Sequence, residues 1–291
     1  MTRLRRSLLF VPGSTPERIA KAVTSPADAV ILDLEDAVAP GEKARAREWV
    51  VAALRGVDFR GRERIVRVNP LDGPEGPADL VAVVPTGPDA LLLPKINGLD
   101  PLIRVDREVG RLEAEAGLEG GRIRFHVLVE TIAGVANVSA IAGGSARNTA
   151  LLFGAGDFVR ETRGRLVPSR APELYAMSQA LLAARLAGLD AIDTPYFELG
   201  NPVGLEAHAR FAADLGYDGK AVIHPNQVDT VNVVFTPTPE AVADARRILA
   251  AYGEAEAQGA GALQLDGRFI DTVHVAVARQ TLARARLAGL A

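Results

Sequence analysis

Two carboxylates stand out by where they fall. Glu130 closes the apolar run Arg124-Phe-His-Val-Leu-Val129, and Asp157 follows a second run, Leu151-Leu-Phe153, after Gly154-Ala-Gly156. They lie 27 positions apart, about one strand–helix–strand step of roughly 30 residues. If the two strands are parallel neighbours, both carboxylates project from the same edge of one sheet. Such a pair suits Mg²⁺ or Mn²⁺, hard cations that take oxygen ligands and keep several waters for a substrate to displace. No histidine stands at ligand spacing to favour zinc. The same carboxylates could instead cap the helices that follow them, and spacing alone leaves both readings open.

Other ionisable residues fall at equivalent places. Arg67 sits one residue before the end of the run Arg64-Ile-Val-Arg-Val68, where a guanidinium can grip a carboxylate with two parallel hydrogen bonds and stabilise an oxyanion. Glu35 and Asp36 follow Ala29–Leu34 and are read as orienting Arg67 rather than binding an ion directly. Lys95, Asp193, Lys220 and His224 mark further strand ends. Arg18 and Lys21 lie three apart on one helix, an arrangement that binds phosphate or is simply solvated. His126 lies inside a strand and reads as a core residue; His208 and His274 lie on helices without a forced role.

These residues need a scaffold that brings many strand ends together. Short apolar runs at 7–11, 29–34, 64–68, 90–93, 124–129, 150–153, 191–193 and 220–223 alternate with helical stretches. Alternation of this kind argues a parallel sheet, and eight units favour a closed (β/α)8 TIM barrel, in which catalytic groups gather at the carboxyl ends of the strands, over a doubly wound open sheet. The runs are continuously apolar, as expected of strands buried on both faces. The barrel is expected over 1–235. An extension over 236–291 follows, with a helix from Pro239, a glycine-rich joint at Gln258-Gly-Ala-Gly-Ala262, a hairpin turn at Asp266-Gly267 and a last helix. A segment appended behind such a joint suits a lid.

Composition narrows the classes. The chain has 291 residues, 48% of them apolar, enough for a barrel of about 250. A formal charge of −3 argues against bulk phosphate neutralisation on a nucleic acid. The absence of cysteine excludes disulfides, thiolate metal sites and a cysteine nucleophile. No apolar run approaches the ~20 residues of a membrane span, and Leu8–Val11 is too short for a signal peptide, so a cytoplasmic protein is expected. Gly144-Ser-Ala146 lacks a nucleophile elbow, and Gly154-Ala-Gly156 lacks the third glycine of a dinucleotide fingerprint.

With these residues placed, the chain resembles the citrate lyase beta-subunit-like proteins, a family that includes citramalyl-CoA, malyl-CoA and related hydroxyacyl-CoA lyases. The marks run along nearly the whole sequence: Arg6-Ser-Leu-Leu-Phe-Val-Pro-Gly13 with Pro16-Glu-Arg18, Ile31-Leu-Asp-Leu-Glu-Asp-Ala-Val38, Val66-Arg-Val-Asn-Pro70, Leu93-Pro-Lys95, Val129-Glu-Thr131, Phe153-Gly-Ala-Gly-Asp157, Gly219-Lys-Ala-Val-Ile-His-Pro-Asn-Gln227 and Asp266-Gly-Arg-Phe-Ile-Asp271. They specify the family far better than the substrate.

The resemblance implies a (β/α)8 barrel with Glu130 and Asp157 as Mg²⁺ ligands, and Arg67 and Glu130 facing the substrate. It places Arg18 and Lys21, with His224, near a CoA moiety, and makes Asp271 a proton-transferring acid that reaches a neighbouring subunit's site. A homotrimer or hexamer is implied, acting on a CoA thioester or an α-keto acid. The implied reaction is cleavage or formation of a 3-hydroxy-3-carboxyacyl-CoA such as citramalyl-CoA or malyl-CoA. The alternatives are a citryl-carrier-protein lyase beta subunit inside a citrate lyase complex, an aldolase acting on free hydroxy acids, and a silent CoA- or metabolite-binding homologue. Two departures bear on this. Asp271 is followed by Thr272-Val273 where the family often has proline, and the loop Arg160-Glu-Thr-Arg-Gly-Arg-Leu-Val-Pro168 is strongly basic, a place where substrate selection can vary.

Overall fold

The computed structural model describes residues 3–290. They form two compact units, one of residues 5–232 and one of residues 233–290 with 3–4.

In the first unit, β1 (Ser7–Pro12), β2 (Ala29–Asp33), β3 (Glu63–Arg67), β4 (Ala90–Leu93), β5 (Arg124–Val129), β6 (Asn148–Phe153), β7 (Asp190–Asp193) and β8 (Gly219–Val222) are all parallel and close on themselves in sequence order. The expected eight-stranded barrel is therefore present. Helices α1 (Pro16–Ala22), α2 (Lys43–Gly56), α3 (Glu75–Val83), α4 (Leu99–Glu115), α5 (Ile132–Ala136), α6 (Val138–Ala142), α7 (Ala155–Thr162), α8 (Leu174–Leu186) and α9 (Pro202–Leu215) follow successive strands, and α10 (Val228–Val234) follows β8.

Two features differ from the sequence reading. The helix expected over 134–142 breaks at Asn137, whose side-chain amide donates to the Ala133 and Asn97 carbonyls and so competes with regular turns. The loop expected over 160–168 begins as helix, because α7 runs from Ala155 to Thr162, and Asp157 lies in its first turn.

The two-residue period of the strands sorts the barrel interior into layers. At one end Arg5 donates two hydrogen bonds of 2.7 Å to Glu63 and one of 2.6 Å to Asp190, beside the fully buried His126. Leu8, Ile31, Ile65, Leu92, Leu128, Leu152 and Ile192 fill the middle. One further step along each strand brings Phe10, Asp33, Arg67 and Glu130, with Thr194 just past β7, to the carboxyl-terminal mouth. The middle layer is made of β-branched residues and leucine, which pack a barrel interior with little loss of rotamer freedom.

The second unit holds α11 (Pro239–Ala257), the antiparallel pair β9 (Leu263–Leu265) and β10 (Arg268–Ile270), and α12 (Thr272–Leu287). Its own core comprises Ala245, Ile248, Tyr252, Ile270, Val275 and Ala278. The expected turn at Asp266-Gly267 joins the two strands, both residues adopting positive φ. Among the described residues no helix is long and apolar enough to cross a membrane.

The charged layer at the closed end yields a stability prediction. Arg5→Met leaves Glu63 and Asp190 buried without their cation, which should cost roughly 3–5 kcal/mol. Urea denaturation should show a lowered midpoint with an unchanged slope.

Candidate active site

Arg67 is the centre of the mouth. Its Nε and Nη2 donate to the two carboxylate oxygens of Asp33 at 2.7 and 2.5 Å, and its Nη1 lies 2.9 Å from Glu35. Its guanidinium also lies over the Phe10 ring, 5.0 Å from the centroid. Burial works against this charge, but the Asp33 hydrogen bonds and the charges of Asp33, Glu35 and Glu130 more than reverse it, so the pKa is raised. Asp33 is 1% exposed and Glu35 2%, so the arginine is fixed by two buried carboxylates, and Asp33 is itself held by the Glu35 and Ala37 N–H groups at 2.8 and 3.3 Å. Glu35 is held in turn through its backbone. The Lys43 ammonium donates to the Leu34 and Glu35 carbonyls and to Asn69 at 2.6–2.9 Å.

Lys95 links two carboxylates. Its Nζ donates to Glu35 at 2.6 Å, and its backbone N–H donates to Glu130 at 3.0 Å. It does so from a left-handed conformation with φ 53°, unfavourable for a residue with a side chain and held here by these contacts. Burial pushes the Glu35 carboxyl up, with Arg67 and Lys95 pulling against the rise.

Glu130 is buried, and among the described residues no side-chain cation pairs with it within 4 Å. Burial first, then the charges of Glu35 and Asp157, push its carboxyl up to about 8. Asp157 reaches the same cavity from the first turn of α7 and also pairs with Arg160. Neither carboxylate caps the helix after it. Thr131 does that for α5, accepting the Gly134 N–H at 2.9 Å, and Asp157 lies within its own helix. Gly154 makes the close approach of the two segments possible, because a Cβ there would meet the Glu130 Cβ at 2.5 Å. Two nearby carboxylate side chains, one buried and lacking an ion-pair partner, fit a hard divalent cation that completes its shell with water and substrate oxygens. No set of three or more acidic, histidine or cysteine side chains that could enclose a metal occurs among the described residues.

These groups open onto one cavity of about 400 Å³. Arg18, Asp33, Asp36, Arg67, Glu130 and Asp157 provide its polar lining, and Phe10, Leu128, Phe153, Phe197 and Ile223 provide apolar walls. A smaller cavity of about 220 Å³ shares the Thr194-Pro195 and Phe197 wall and is otherwise bordered by Leu166–Pro168, Tyr196 and His208.

The remaining candidates are placed as follows. Lys21 is exposed on α1 and does not line the cavity. His224 also lies outside the lining; its ring accepts the Asn226 N–H at 3.2 Å and caps the turn Pro225–Gln227. Asp36 does not pair with Arg67 and sits 3.9 Å from Lys95. Asp193 and Lys220, read as rim residues, are fully buried against each other at 2.7 Å. They occupy the alternate parity of their strands, the one that faces the surrounding helices. Asp271 belongs to the second unit, where its carboxylate accepts the Val273 N–H at 3.0 Å and contacts His274 Nδ1 at 2.8 Å. Asp33 and Thr194 were missed. Stepping by two from Ala29 and Ile31, or from Ile192, reaches both.

Comparison with known proteins decides the lineage. The model of the HpcH/HpaI aldolase/citrate lyase family matches residues 6–225. The chain belongs to this family. It is accordingly an enzyme of the aldolase and carbon–carbon lyase type. It is 38% identical to the citrate lyase subunit beta of Escherichia coli K12 over 99% of this chain and 96% of the relative. It is 39% identical to a (3S)-malyl-CoA thioesterase of Cereibacter sphaeroides over 96% of this chain and 94% of the relative. Among solved structures, protein CitE from Mycobacterium tuberculosis, in complex with magnesium, acetoacetate and coenzyme A, matches with a TM-score of 0.80 and 30% identity, covering 98% of this chain and 99% of that one.

The raised Glu130 pKa yields a pH prediction for this family member. A carboxyl held near 8 in the folded chain and at 4.5 in the reference state lowers stability as pH rises between those values. Metal-free protein should therefore lose thermal stability from pH 4.5 to about 8 relative to Glu130→Gln. Parallel melting curves of the two proteins across that range would show that Glu130 is not strained.

Proposed function

We propose that this chain is a Mg²⁺-dependent carbon–carbon lyase acting on a 3-hydroxy-3-carboxyacyl-CoA, such as citramalyl-CoA or malyl-CoA, to give an α-keto acid and acetyl-CoA, or running in reverse. The observation that carries the reading is the convergence of Glu130, Asp157 and an immobilised Arg67 on one cavity. The magnesium, acetoacetate and coenzyme A bound by the CitE relative support it. A cytoplasmic location and a homotrimer or hexamer belong to the same proposal.

Glu130 and Asp157 would hold the ion, whose Lewis acidity polarises the oxygen that becomes the keto group. Arg67 has Nε and one Nη2 hydrogen engaged by Asp33 and faces Glu35 with Nη1. Its remaining N–H groups are free to receive a substrate oxygen. In the cleavage direction the hydroxyl proton passes to solvent and the bond between the carbinol carbon and the thioester α-carbon breaks. Its electron pair passes to the thioester as an enolate. Arg67 lowers the energy of the negative oxygen without having to reorganise, because Asp33 and Glu35 have already fixed it. The enolate carbon then takes a proton from the Asp271 carboxyl of a neighbouring subunit, which solvent reprotonates. Its hydrogen bond with His274 holds the carboxyl below its usual value, which favours the ionised form that removes a proton in the condensing direction. Arg18 in the cavity lining is assigned to the anionic part of the CoA moiety.

A second reading, the beta subunit of a citrate lyase complex acting on a carrier-bound citryl thioester, has equal support from the Escherichia coli relative. One experiment separates the readings: incubation with citramalyl-, malyl- and hydroxymethylglutaryl-CoA, with a citryl thioester of a carrier protein and with free citrate, each with Mg²⁺ or chelator. Keto acid and acetyl-CoA are expected from a CoA ester with Mg²⁺ only. Turnover confined to carrier-bound substrate supports the second reading, and release of free CoA without keto acid indicates thioester hydrolysis. No turnover of any CoA ester overturns the proposal.

Two variants test the residue roles. Asp271→Asn should abolish turnover while Mg²⁺ binding persists; an active variant removes Asp271 from proton transfer. Arg67→Lys loses the planar fork and should lower kcat by roughly 10²–10³.

A further inference from the structure

The helix that carries Asp157 begins without a cap of its own. Gly154 stands at its N-cap position and has no side chain to offer. The next residue, Ala155, is fully buried, so its N–H cannot turn to water for a partner. The hydroxyl of Thr194, just past the end of β7, accepts that N–H at 3.1 Å. On the other side the Gly154 N–H donates to the Val129 carbonyl at 3.0 Å, one residue before Glu130. The start of α7 is thus tied to the Glu130 segment by one hydrogen bond and to β7 by another.

Thr194 is in turn held from behind. Lys220 of β8 is completely buried. Its ammonium donates to the Thr194 carbonyl, to Asp193 at 2.7 Å and to Nδ1 of His208 at 2.7 Å. A lysine ammonium has three protons, and these contacts use all of them. Since Lys220 can only donate, Nδ1 of His208 is the acceptor, and the imidazole is neutral with its proton on Nε2. Arg170 holds Asp193 from the far side with hydrogen bonds of 2.7 and 3.0 Å. Neither Asp193 nor Lys220 lines the 400 Å³ cavity, whereas Thr194 does, so Thr194 is the link from this network to the Asp157 helix.

We propose that Thr194 is a positioning residue that sets Asp157 against Glu130 by capping α7 from the neighbouring strand, and that Lys220 holds Thr194 in place. The inference rests on the reading of Glu130 and Asp157 as an ion-binding pair. It goes beyond that reading by naming what fixes the distance between them. Supporting residues behind a metal ligand characteristically contribute 10–100-fold to affinity.

The test measures Mn²⁺ binding to the full-length, substrate-free protein by the electron paramagnetic resonance signal of the free ion. Thr194→Val keeps the shape and removes the acceptor; Thr194→Ser restores it. Thr194→Val should bind Mn²⁺ about 10–100-fold more weakly, and Thr194→Ser close to wild type. Lys220→Met should weaken binding in the same direction. Since that variant exposes Asp193 to a lost partner and can misfold, the threonine pair decides. In turnover the Thr194→Val defect should appear as a raised Mn²⁺ activation constant with kcat largely recovered at saturating ion, whereas a general loss of folded protein lowers kcat at every ion concentration. Wild-type affinity in Thr194→Val overturns the proposal and leaves the lyase reading intact. Wild-type protein that binds no Mn²⁺, or binds it equally well as Asp157→Asn, overturns the ion-binding reading and this inference with it.

Discussion

A guanidinium inside a barrel mouth is costly to bury, and what happens around Arg67 follows from that cost. The interior offers little solvent, so the charge must be matched by carboxylates at hydrogen-bond distance. Asp33 supplies a two-pronged partner and Glu35 a flanking charge. These two then need neighbours of their own. Glu35 draws in the Lys95 ammonium, and Lys95 bends into a left-handed backbone that aims its N–H at Glu130. One buried cation thereby orders the ends of β2, β3, β4 and β5. Removing it would leave Asp33 buried with only the Glu35 and Ala37 N–H groups to hold it, and Glu35 with Lys95 as its one cation.

The two charged layers of the barrel differ in how completely they are neutralised. At the closed end Arg5 saturates Glu63 and makes a further bond to Asp190, a self-contained arrangement that serves packing. At the mouth the cations are drawn to Asp33 and Glu35, and Glu130 is left with a backbone N–H and two like-charged neighbours. A stability-optimised mouth would pair Glu130 as Glu63 is paired. The residual like-charge repulsion at Glu130 is what the proposed ion would relieve, and it occurs where Asp157 joins from the next strand unit.

The strand order and the mouth were legible because both depend on simple periodicities. Eight apolar runs alternating with helices give the barrel, and strand ends give the rim. What could not be read from strand ends alone was the side of the sheet. Asp193 and Lys220 stand at strand ends as plainly as Arg67 does, yet one residue of parity turns them toward α8 and α9, where they neutralise each other. The same step of two, applied forward, would have found Asp33 beyond Ile31 and Thr194 beyond Ile192. The α7 helix was hidden for a different reason. Gly154-Ala-Gly156 reads as a helix breaker by propensity, but tertiary contacts at Gly154 and a cap from another strand override it. Asp271 was visible only through family likeness, since nothing in its local spacing distinguishes it from any other helix cap.

A two-carboxylate ion site has a consequence for specificity. In the proposed reading most of the ion's shell belongs to water and substrate, so the oxygens that define a 3-hydroxy-3-carboxyacyl group are recognised by the same centre that activates them. Arg67, locked by Asp33 and Glu35, reads one further oxygen. None of these groups senses what else the acyl chain carries. That discrimination falls to the walls, Phe10, Leu128, Phe153, Phe197 and Ile223, where a change of one methylene is worth only about 1–3 kcal/mol. Relatives at 38–39% identity carry the names of a citrate lyase subunit and a malyl-CoA thioesterase, so membership of the family does not by itself fix substrate or reaction outcome. The shared wall of Thr194-Pro195 and Phe197 is the part of this lining closest to both functions, because its threonine anchors the Asp157 helix while its phenylalanine borders both cavities.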